Sequence, residues 1–200
     1  MEIAANELSR KEVYKLLIGS VQPRPIAWVS TLNAEGQANL APFSFFTVVS
    51  PNPPTICFCP TTRELDQSDK DTLNNIIETG EFVVNFVPTA LVEQMNISAT
   101  EYGPEVDEFE KAGLTKAPSR MVKAPRIAES PIQYECKLHD LIRIGDGNLV
   151  LGTVLYFHVD ESVYMGNYKI DALAWQPLGR LAGNDYASVK ETFEVKRLQP

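Results

Sequence analysis

The chain has 200 residues, 44% of them hydrophobic, which is enough for one substantial core, so we expect a single domain spanning residues 1–200. The formal net charge of -8 and the pI near 4.8 argue against a nucleic-acid-binding surface, because such a surface needs a basic stripe. The longest apolar stretch, Leu149 to Phe157, has the length of a strand, so we expect no membrane span.

The N-terminus and the cysteines favour a cytoplasmic location. The opening sequence MEIAANELSRKEVYKLL has neither a basic leader nor a continuous apolar block, unlike a signal peptide. Cys57, Cys59 and Cys136 are expected to be unpaired thiols, which suit a reducing compartment. His139 and His158 do not stand at ligand spacing from a cysteine, so we expect no metal site.

The first half of the chain alternates predicted helices and strands. Apolar residues between Leu8 and Leu17 follow helical spacing and predict a short helix that ends near Ile18 and leads into the core. A helix over 70–80 is expected to have Asp69 or Asp71 as its N-cap and Gly80 as its end. The other predicted elements are a strand over 24–32, a turn over 33–36, a strand from Gln37 and, after the break SPNPP (50–54), the strand TICFC (55–59).

The second half is predicted to be mainly strand. After a strand over 81–87 and helices over 89–100 and 107–113, alternating apolar residues over 132–144 predict a strand with one wet face. GDGN (145–148) predicts a turn into 149–159, which is apolar on both faces and therefore expected to be central in the sheet. Many antiparallel strands with interspersed helices predict a closed, mainly β barrel decorated by α-helices.

Several widespread catalytic motifs are absent from the sequence. The chain contains no G-x-x-x-x-G-K-[ST] loop, no dinucleotide-binding glycine fingerprint, no serine nucleophile elbow and no H-E-x-x-H. The chain has only two histidines, and neither belongs to a serine or acidic catalytic motif, which argues against a Ser–His–Asp triad. The sequence therefore predicts no catalytic side chain.

Hydroxyl-bearing and basic residues gather near the start of the predicted helix over 70–80. A helix N-terminus presents free N–H groups and a partial positive charge, which favour a phosphate. Aspartates at 66, 69 and 71 would repel a phosphate unless one caps the helix and another pairs with a basic neighbour. An ordinary capped surface helix therefore remains the alternative. The residues concerned are Ser30, Thr31, Thr61, Thr62, Arg63, Lys70 and Thr72.

The segment ANLAPFSFF (38–46) is predicted to be an edge strand. Pro42 has no N–H, which restricts its strand to a sheet edge or a bulge and leaves neighbouring backbone free to bind another group. Asn39 and Ser44 are polar, while the three phenylalanines alternate between the core and the opposite face. Two interpretations stay open: an edge that binds an aromatic ligand with polar ring edges, or a bulged edge strand with Asn39 in a local turn.

Together these segments resemble the FMN-binding split-barrel proteins, specifically the flavin reductase-like family that includes flavoredoxin. The similar stretches are PRPIAWVSTLNAEGQANLAPFSFF (23–46), the prolines at 53 and 54, RELDQSDKDTLNNI (63–76) and TGEFVVNFV (79–87). The C-terminal PLGRLAGNDYA (177–187) resembles the arginine-, glycine- and tyrosine-containing ending of the family. Thr47 stands where many members carry asparagine.

The resemblance implies an antiparallel split β-barrel and a homodimer with FMN near the subunit interface. It also implies that NADH or NADPH reduces the flavin, which passes electrons to a small-molecule or flavin acceptor, while the protein positions and tunes the cofactor. For the phosphate and ribityl chain the implied residues are Ser30, Thr31, Arg63, Lys70 and Thr72, with Thr62 beside them. For the ring they are Asn39, Leu40, Ala41, Pro42 and Ser44. Trp28, Arg180, Asn184 and Tyr186 are implied as further lining residues, some from the partner subunit, although Trp28 also suits a core position and Arg180 a surface ion pair.

Two hypotheses stand beside an NAD(P)H-dependent flavin oxidoreductase. The first is a non-enzymatic FMN-binding electron carrier without nicotinamide turnover of its own. The second is a barrel that binds another phosphorylated ligand. The sequence does not separate them, because nicotinamide binds such barrels without a Rossmann signature.

Overall fold

The computed structural model describes residues 2–63, 68–103 and 105–198. No helix in these ranges is long and apolar enough to cross a membrane. The helices are α1 (Arg10–Ser20), α2 (Asp71–Thr79), α3 (Val92–Ser98), α4 (Glu108–Ala112) and α5 (Ala172–Trp175). The strands are β1 (Arg24–Pro25), β2 (Ala27–Leu32), β3 (Ala38–Phe43), β4 (Phe46–Pro51), β5 (Pro54–Phe58), β6 (Glu81–Phe86), β7 (Lys116–Ala117), β8 (Arg126–Ile127), β9 (Ile132–Ile144), β10 (Gly147–Val159), β11 (Leu178–Arg180) and β12 (Tyr186–Ser188).

Seven antiparallel strands form the main sheet in the order β3-β2-β6-β9-β10-β5-β4. The edge strands β3 and β4 are consecutive in the chain and are separated only by Ser44 and Phe45. A flat sheet of this size would hold its edges roughly 29 Å apart, whereas this connection spans at most about 11 Å. The sheet must therefore curl until its edges meet. The prediction of an antiparallel split β-barrel is confirmed. The prediction of a closed barrel is wrong, because β3 and β4 are not hydrogen-bonded to each other.

The edge position of Pro42 is confirmed, but its segment is not one strand. β3 ends at Phe43, and a separate strand β4, which the sequence did not predict, begins at Phe46. The reason is pairing: β3 pairs with β2, whereas Phe46 lies opposite Phe58 on β5. Phe43 and Phe46 are both buried, and Phe45 between them is exposed. The central position of β10, between β9 and β5, is also confirmed.

The interior of the barrel is filled by aromatic and aliphatic side chains from its strands and from α2. Phe43 and Phe58 bring their ring centroids to 5.2 Å across the split. At Gly152 a Cβ atom would lie 2.4 Å from the ring of Phe82, so only glycine lets β10 approach that ring. This core fixes α2 against the sheet.

A second apolar cluster lies on the other face of β2 and β3. Trp28 and Leu40, both fully buried, belong to the same cluster as Met95 of α3 and Phe109 of α4. This cluster places the α3–α4 region beside the edge strand β3. The two clusters thus set β3 next to α2 on one side and next to α3 and α4 on the other.

Helix α1 differs from its prediction. A short helix is confirmed, ending at Ser20, and Ser9 and Glu12 form a capping box at its start. Only Ile18 is buried, however, while Leu16 and Leu17 stay 45% and 53% exposed. The expectation that this helix leads its apolar side into the core is therefore wrong.

The C-terminal segment adds a small three-stranded sheet, β1-β11-β12. Its β1 residue Arg24 is buried and donates to the carbonyls of Ile18, Val21 and Leu181. This guanidinium therefore ties the C-terminal sheet to the end of α1. The three cysteines are free, as expected; Cys136 is buried and the other two are half-buried.

Candidate functional site

A small cleft opens where the edge strand β3 faces the start of α2 and the segment between α3 and α4. Its volume is about 80 Å³. Strand β3 contributes Asn39 and the residues 41–43, the start of α2 contributes Lys70, Asp71 and Thr72, and Arg63 comes from the segment that precedes this helix. The third wall consists of the residues 98–102 and Glu108.

Two amide–hydroxyl hydrogen bonds hold α2 against the sheet beside this cleft. The Asn39 Nδ2 atom donates to the Thr72 Oγ1 atom at 2.8 Å, and Thr72 is almost completely buried. One turn further along α2, the Asn75 Nδ2 atom donates to the Thr31 Oγ1 atom at 2.9 Å. The first turn of α2 is therefore fixed relative to the edge strand.

The N-cap expected for α2 is wrong. The N-cap residue is Lys70, which makes no side-chain capping hydrogen bond. Asp71 instead pairs with Arg63 at 2.7 Å, which confirms that one aspartate pairs with a basic neighbour. Asp69 is bound by Arg143, also at 2.7 Å, and this hydrogen bond lowers the pKa of Asp69. Asp66 lies outside the described residues.

The remaining cation of the cleft, Lys70, is weakly paired. Its Nζ atom lies 3.4 Å from the Glu101 carboxylate, at the long end of ion-pair distances, and both side chains are partly exposed. Pairs of this kind contribute little to stability, about 0–1 kcal/mol. Lys70 is therefore able to exchange Glu101 for a stronger anion without a large cost to the fold.

Glu108 is a cleft residue that the sequence did not single out. Its Oε2 atom accepts the Leu40 N–H of the edge strand at 3.0 Å, and the residue is only 8% exposed. Burial raises the pKa of the Glu108 carboxyl, and the Leu40 N–H opposes that shift. Because Glu108 occupies this N–H, the expectation that the backbone next to Pro42 is free is wrong at Leu40. No sequence pattern joins two residues 68 positions apart.

Six of the residues expected at a cofactor site line the cleft: Asn39, Ala41, Pro42, Arg63, Lys70 and Thr72. Four others have no exposed surface, namely Trp28, Ser30, Thr31 and Leu40. Trp28 belongs to the core and donates to Ser98 Oγ at 2.8 Å. Ser30 donates to the carbonyl of Pro125 at 2.5 Å. These four side chains are therefore not open to a ligand in the cleft.

The other expected residues do not line the cleft of their own chain. Ser44 accepts a long hydrogen bond, 3.4 Å, from Arg24, and the backbone of Thr62 donates to Asp146 at 3.0 Å. Arg180 lies over the ring of Tyr186 at 4.4 Å and donates to the Gly183 carbonyl. Asn184 lies in the turn between β11 and β12.

Comparison with known proteins gives consistent matches over the whole chain. Residues 19–176 match the sequence profile described as "Flavin reductase like domain". An uncharacterized protein of Aquifex aeolicus is 42% identical over 196 residues, 98% of each chain. The crystal structure of nitrilotriacetate monooxygenase component B from Bacillus cereus is 38% identical, with a TM-score of 0.93 over 98% of each chain. The 2-nitrobenzoate 2-nitroreductase NbaA from Pseudomonas fluorescens is 32% identical, with a TM-score of 0.90 over 99% of this chain and 96% of the other.

Proposed function

The chain belongs to the flavin reductase-like family, and from that membership we propose that it is an FMN-binding oxidoreductase. NADH or NADPH supplies the reducing equivalents, and a small molecule or a second flavin accepts them. Two similar proteins are named for redox chemistry, as a monooxygenase component and a nitroreductase. The observation that carries the proposal is the contact between Asn39 and Thr72, which sets the start of α2 beside the proline-containing edge strand.

The groups at the start of α2 suit the phosphate of FMN. Among the described residues Lys70 has only the weak partner Glu101, and as the N-cap residue it makes no side-chain capping hydrogen bond. A dianionic phosphate gains from both the charge and the helix dipole. Asp71 would oppose it, but its carboxylate is already paired with Arg63. The residues present therefore fit a phosphate.

The dimensions of the cleft suit the tail of the cofactor and not its ring. At about 80 Å³ the cleft is well below the roughly 300–1,000 Å³ of pockets that enclose whole ligands. We place the isoalloxazine ring outside it, along β3 from Asn39 to Ser44. There Pro42 leaves the edge without an N–H, so another strand cannot pair fully with it.

An isoalloxazine ring bound along β3 would be exposed to solvent on one side, and we propose that a second subunit covers it. Strand β4 borders the split and exposes Val48 (66%) and Val49 (52%), and α1 exposes Leu16 and Leu17. Apolar surface of this kind marks an interaction site. In a homodimer the partner chain would bury these side chains, and its C-terminal segment could bring Arg180, Asn184 and Tyr186 to the ring.

In the proposed reaction the protein binds the flavin, orients it and shields it from solvent. The bound flavin would supply the redox chemistry, as an acceptor of hydride and a donor of electrons. Lys70 and Thr72 hold the phosphate end. The Asn39–Thr72 hydrogen bond keeps that end in register with the edge strand, and Glu108 fixes the strand through the Leu40 N–H.

Absorbance spectroscopy with stopped-flow mixing tests this function. The purified protein should be yellow, or become so when FMN is added, and NADH or NADPH should bleach the flavin band. A colourless protein that ignores FMN would overturn flavin binding. Bound flavin that neither nucleotide bleaches would leave the electron-carrier hypothesis and reject the oxidoreductase.

A further inference from the structure

A second pocket, separate from the cleft, lies where β9 begins and β10 ends. Its volume is about 360 Å³, within the range of small-molecule sites. It is lined by Arg120, Arg126 and His158, together with the aromatic residues Tyr156 and Phe157. Two guanidinium groups in one pocket are unexpected in a chain of net charge -8.

Among the described residues, neither guanidinium group of this pocket forms an ion pair with a carboxylate. Arg126 donates from Nε and Nη2 to the Pro118 carbonyl and from Nη1 to the Gln133 side chain, all neutral acceptors. These contacts fix the group and leave two of its N–H donors unused. Among the described residues the side chain of Arg120 has no acidic partner; it lies over the Tyr156 ring at 5.6 Å.

The acidic groups nearby have partners of their own. Glu135 is fully buried beneath the pocket and accepts from the N–H groups of Arg120, Met121 and Val122 and from His158 at 2.5 Å. This carboxylate anchors the loop that carries Arg120. Asp160 also lines the pocket and accepts the Ser162 N–H at 2.8 Å. The two arginines therefore outnumber the one unburied carboxylate.

From this arrangement we infer that the pocket binds a small organic phosphate, a phosphate ester attached to a planar ring. Guanidinium groups recognise phosphate oxygens in pairs of hydrogen bonds. The volume exceeds what free phosphate needs, and Tyr156, on the same face of β10 as His158, gives a ring an aromatic surface. The site does not depend on flavin binding in the cleft.

Amide chemical shifts of the 22.3 kDa protein test this site with three probes. AMP carries a phosphate and a ring, inorganic phosphate lacks the ring, and adenosine lacks the phosphate. AMP should shift the amides of residues 120–122 and of Tyr156, inorganic phosphate should do so more weakly, and adenosine should not. Because these amides report only on this pocket, binding of a probe in the cleft does not affect the result.

Amino-acid substitutions test which side chains of the pocket bind the phosphate. Arg120→Ala should weaken AMP binding at least tenfold, Arg120→Lys should weaken it less, and Lys137→Ala on the exposed face of β9 should leave it unchanged. The proposal is overturned if AMP does not shift these amides, if it binds Arg120→Ala as well as the parent, or if inorganic phosphate binds and AMP does not. Lys70→Ala should not alter AMP binding in this pocket. A negative result here would therefore leave the proposed FMN site in the cleft unaffected.

Discussion

The side-chain amide of Asn39 donates to the hydroxyl of Thr72 at 2.8 Å and so connects the edge of the barrel to the first turn of α2. The edge strand is where we place the flavin ring, and the helix start is where we place the phosphate. A single hydrogen bond thus sets the spacing between the two halves of the proposed site. Its removal should affect cofactor binding more than stability.

Thr72→Val keeps the shape of the side chain and leaves the Asn39 amide without its acceptor. We expect a loss of about 1 kcal/mol in the free energy of unfolding and a weaker affinity for FMN. Denaturant unfolding and flavin fluorescence titration measure the two effects. Asn75→Ala is the matched control, since it removes the same kind of contact one turn along α2, outside the cleft. Equal flavin affinities in both variants would contradict the role given to Asn39 and Thr72.

Lys70→Ala should weaken FMN binding about 10- to 100-fold while the fold stays intact. A charge-assisted hydrogen bond to phosphate contributes roughly 1.5–3 kcal/mol, whereas the contact of Lys70 with Glu101 is weak. Glu101→Gln should have the opposite effect and raise the affinity modestly, because it frees the ammonium group. Unchanged affinity in both variants would show that Lys70 does not touch the phosphate.

Some of this arrangement is visible in the sequence and some is not. Pro42 predicts an edge strand because it lacks an N–H. The β10 segment is apolar on both faces, which predicts a central position in the sheet. The pairing of Asn39 with Thr72 spans 33 positions, and that of Leu40 with Glu108 spans 68. Such contacts depend on how the sheet curls. The cap of α2 was predicted wrongly because Asp69 and Asp71 find stronger partners in Arg143 and Arg63.

Glu108→Gln should stabilise the protein more at pH 7 than at pH 4. Burial raises the pKa of Glu108 in the folded state above its unfolded value. Protonation is therefore favoured by folding, and the stability that it contributes is present below the unfolded pKa and is lost as pH rises through the folded pKa. Glutamine is not subject to that loss and still accepts the Leu40 N–H. Denaturant unfolding at several pH values measures the difference between the two proteins, and a difference that does not vary with pH would contradict the prediction.

Gly152→Ala should destabilise the barrel by about 1–3 kcal/mol, because the added methyl group would overlap the buried ring of Phe82. Gly19→Ala is the control. A Cβ at Gly19 meets nothing within 4 Å, and alanine in α1 should stabilise the protein by about 0.5–1 kcal/mol. Thermal unfolding should show a lower melting temperature for Gly152→Ala and a higher one for Gly19→Ala. An unchanged melting temperature in Gly152→Ala would show that β10 is not packed against Phe82 in this way.

The most direct measurement compares FMN with riboflavin, which has the same ring and lacks the phosphate. Fluorescence titration of the flavin-free protein should give an affinity for FMN about 10- to 100-fold higher than for riboflavin. In Lys70→Ala most of that difference should disappear, because the contact that distinguishes the two ligands is gone. Equal affinities for FMN and riboflavin in the unaltered protein, or a preference for FMN that survives Lys70→Ala in full, would contradict a phosphate site at the start of α2.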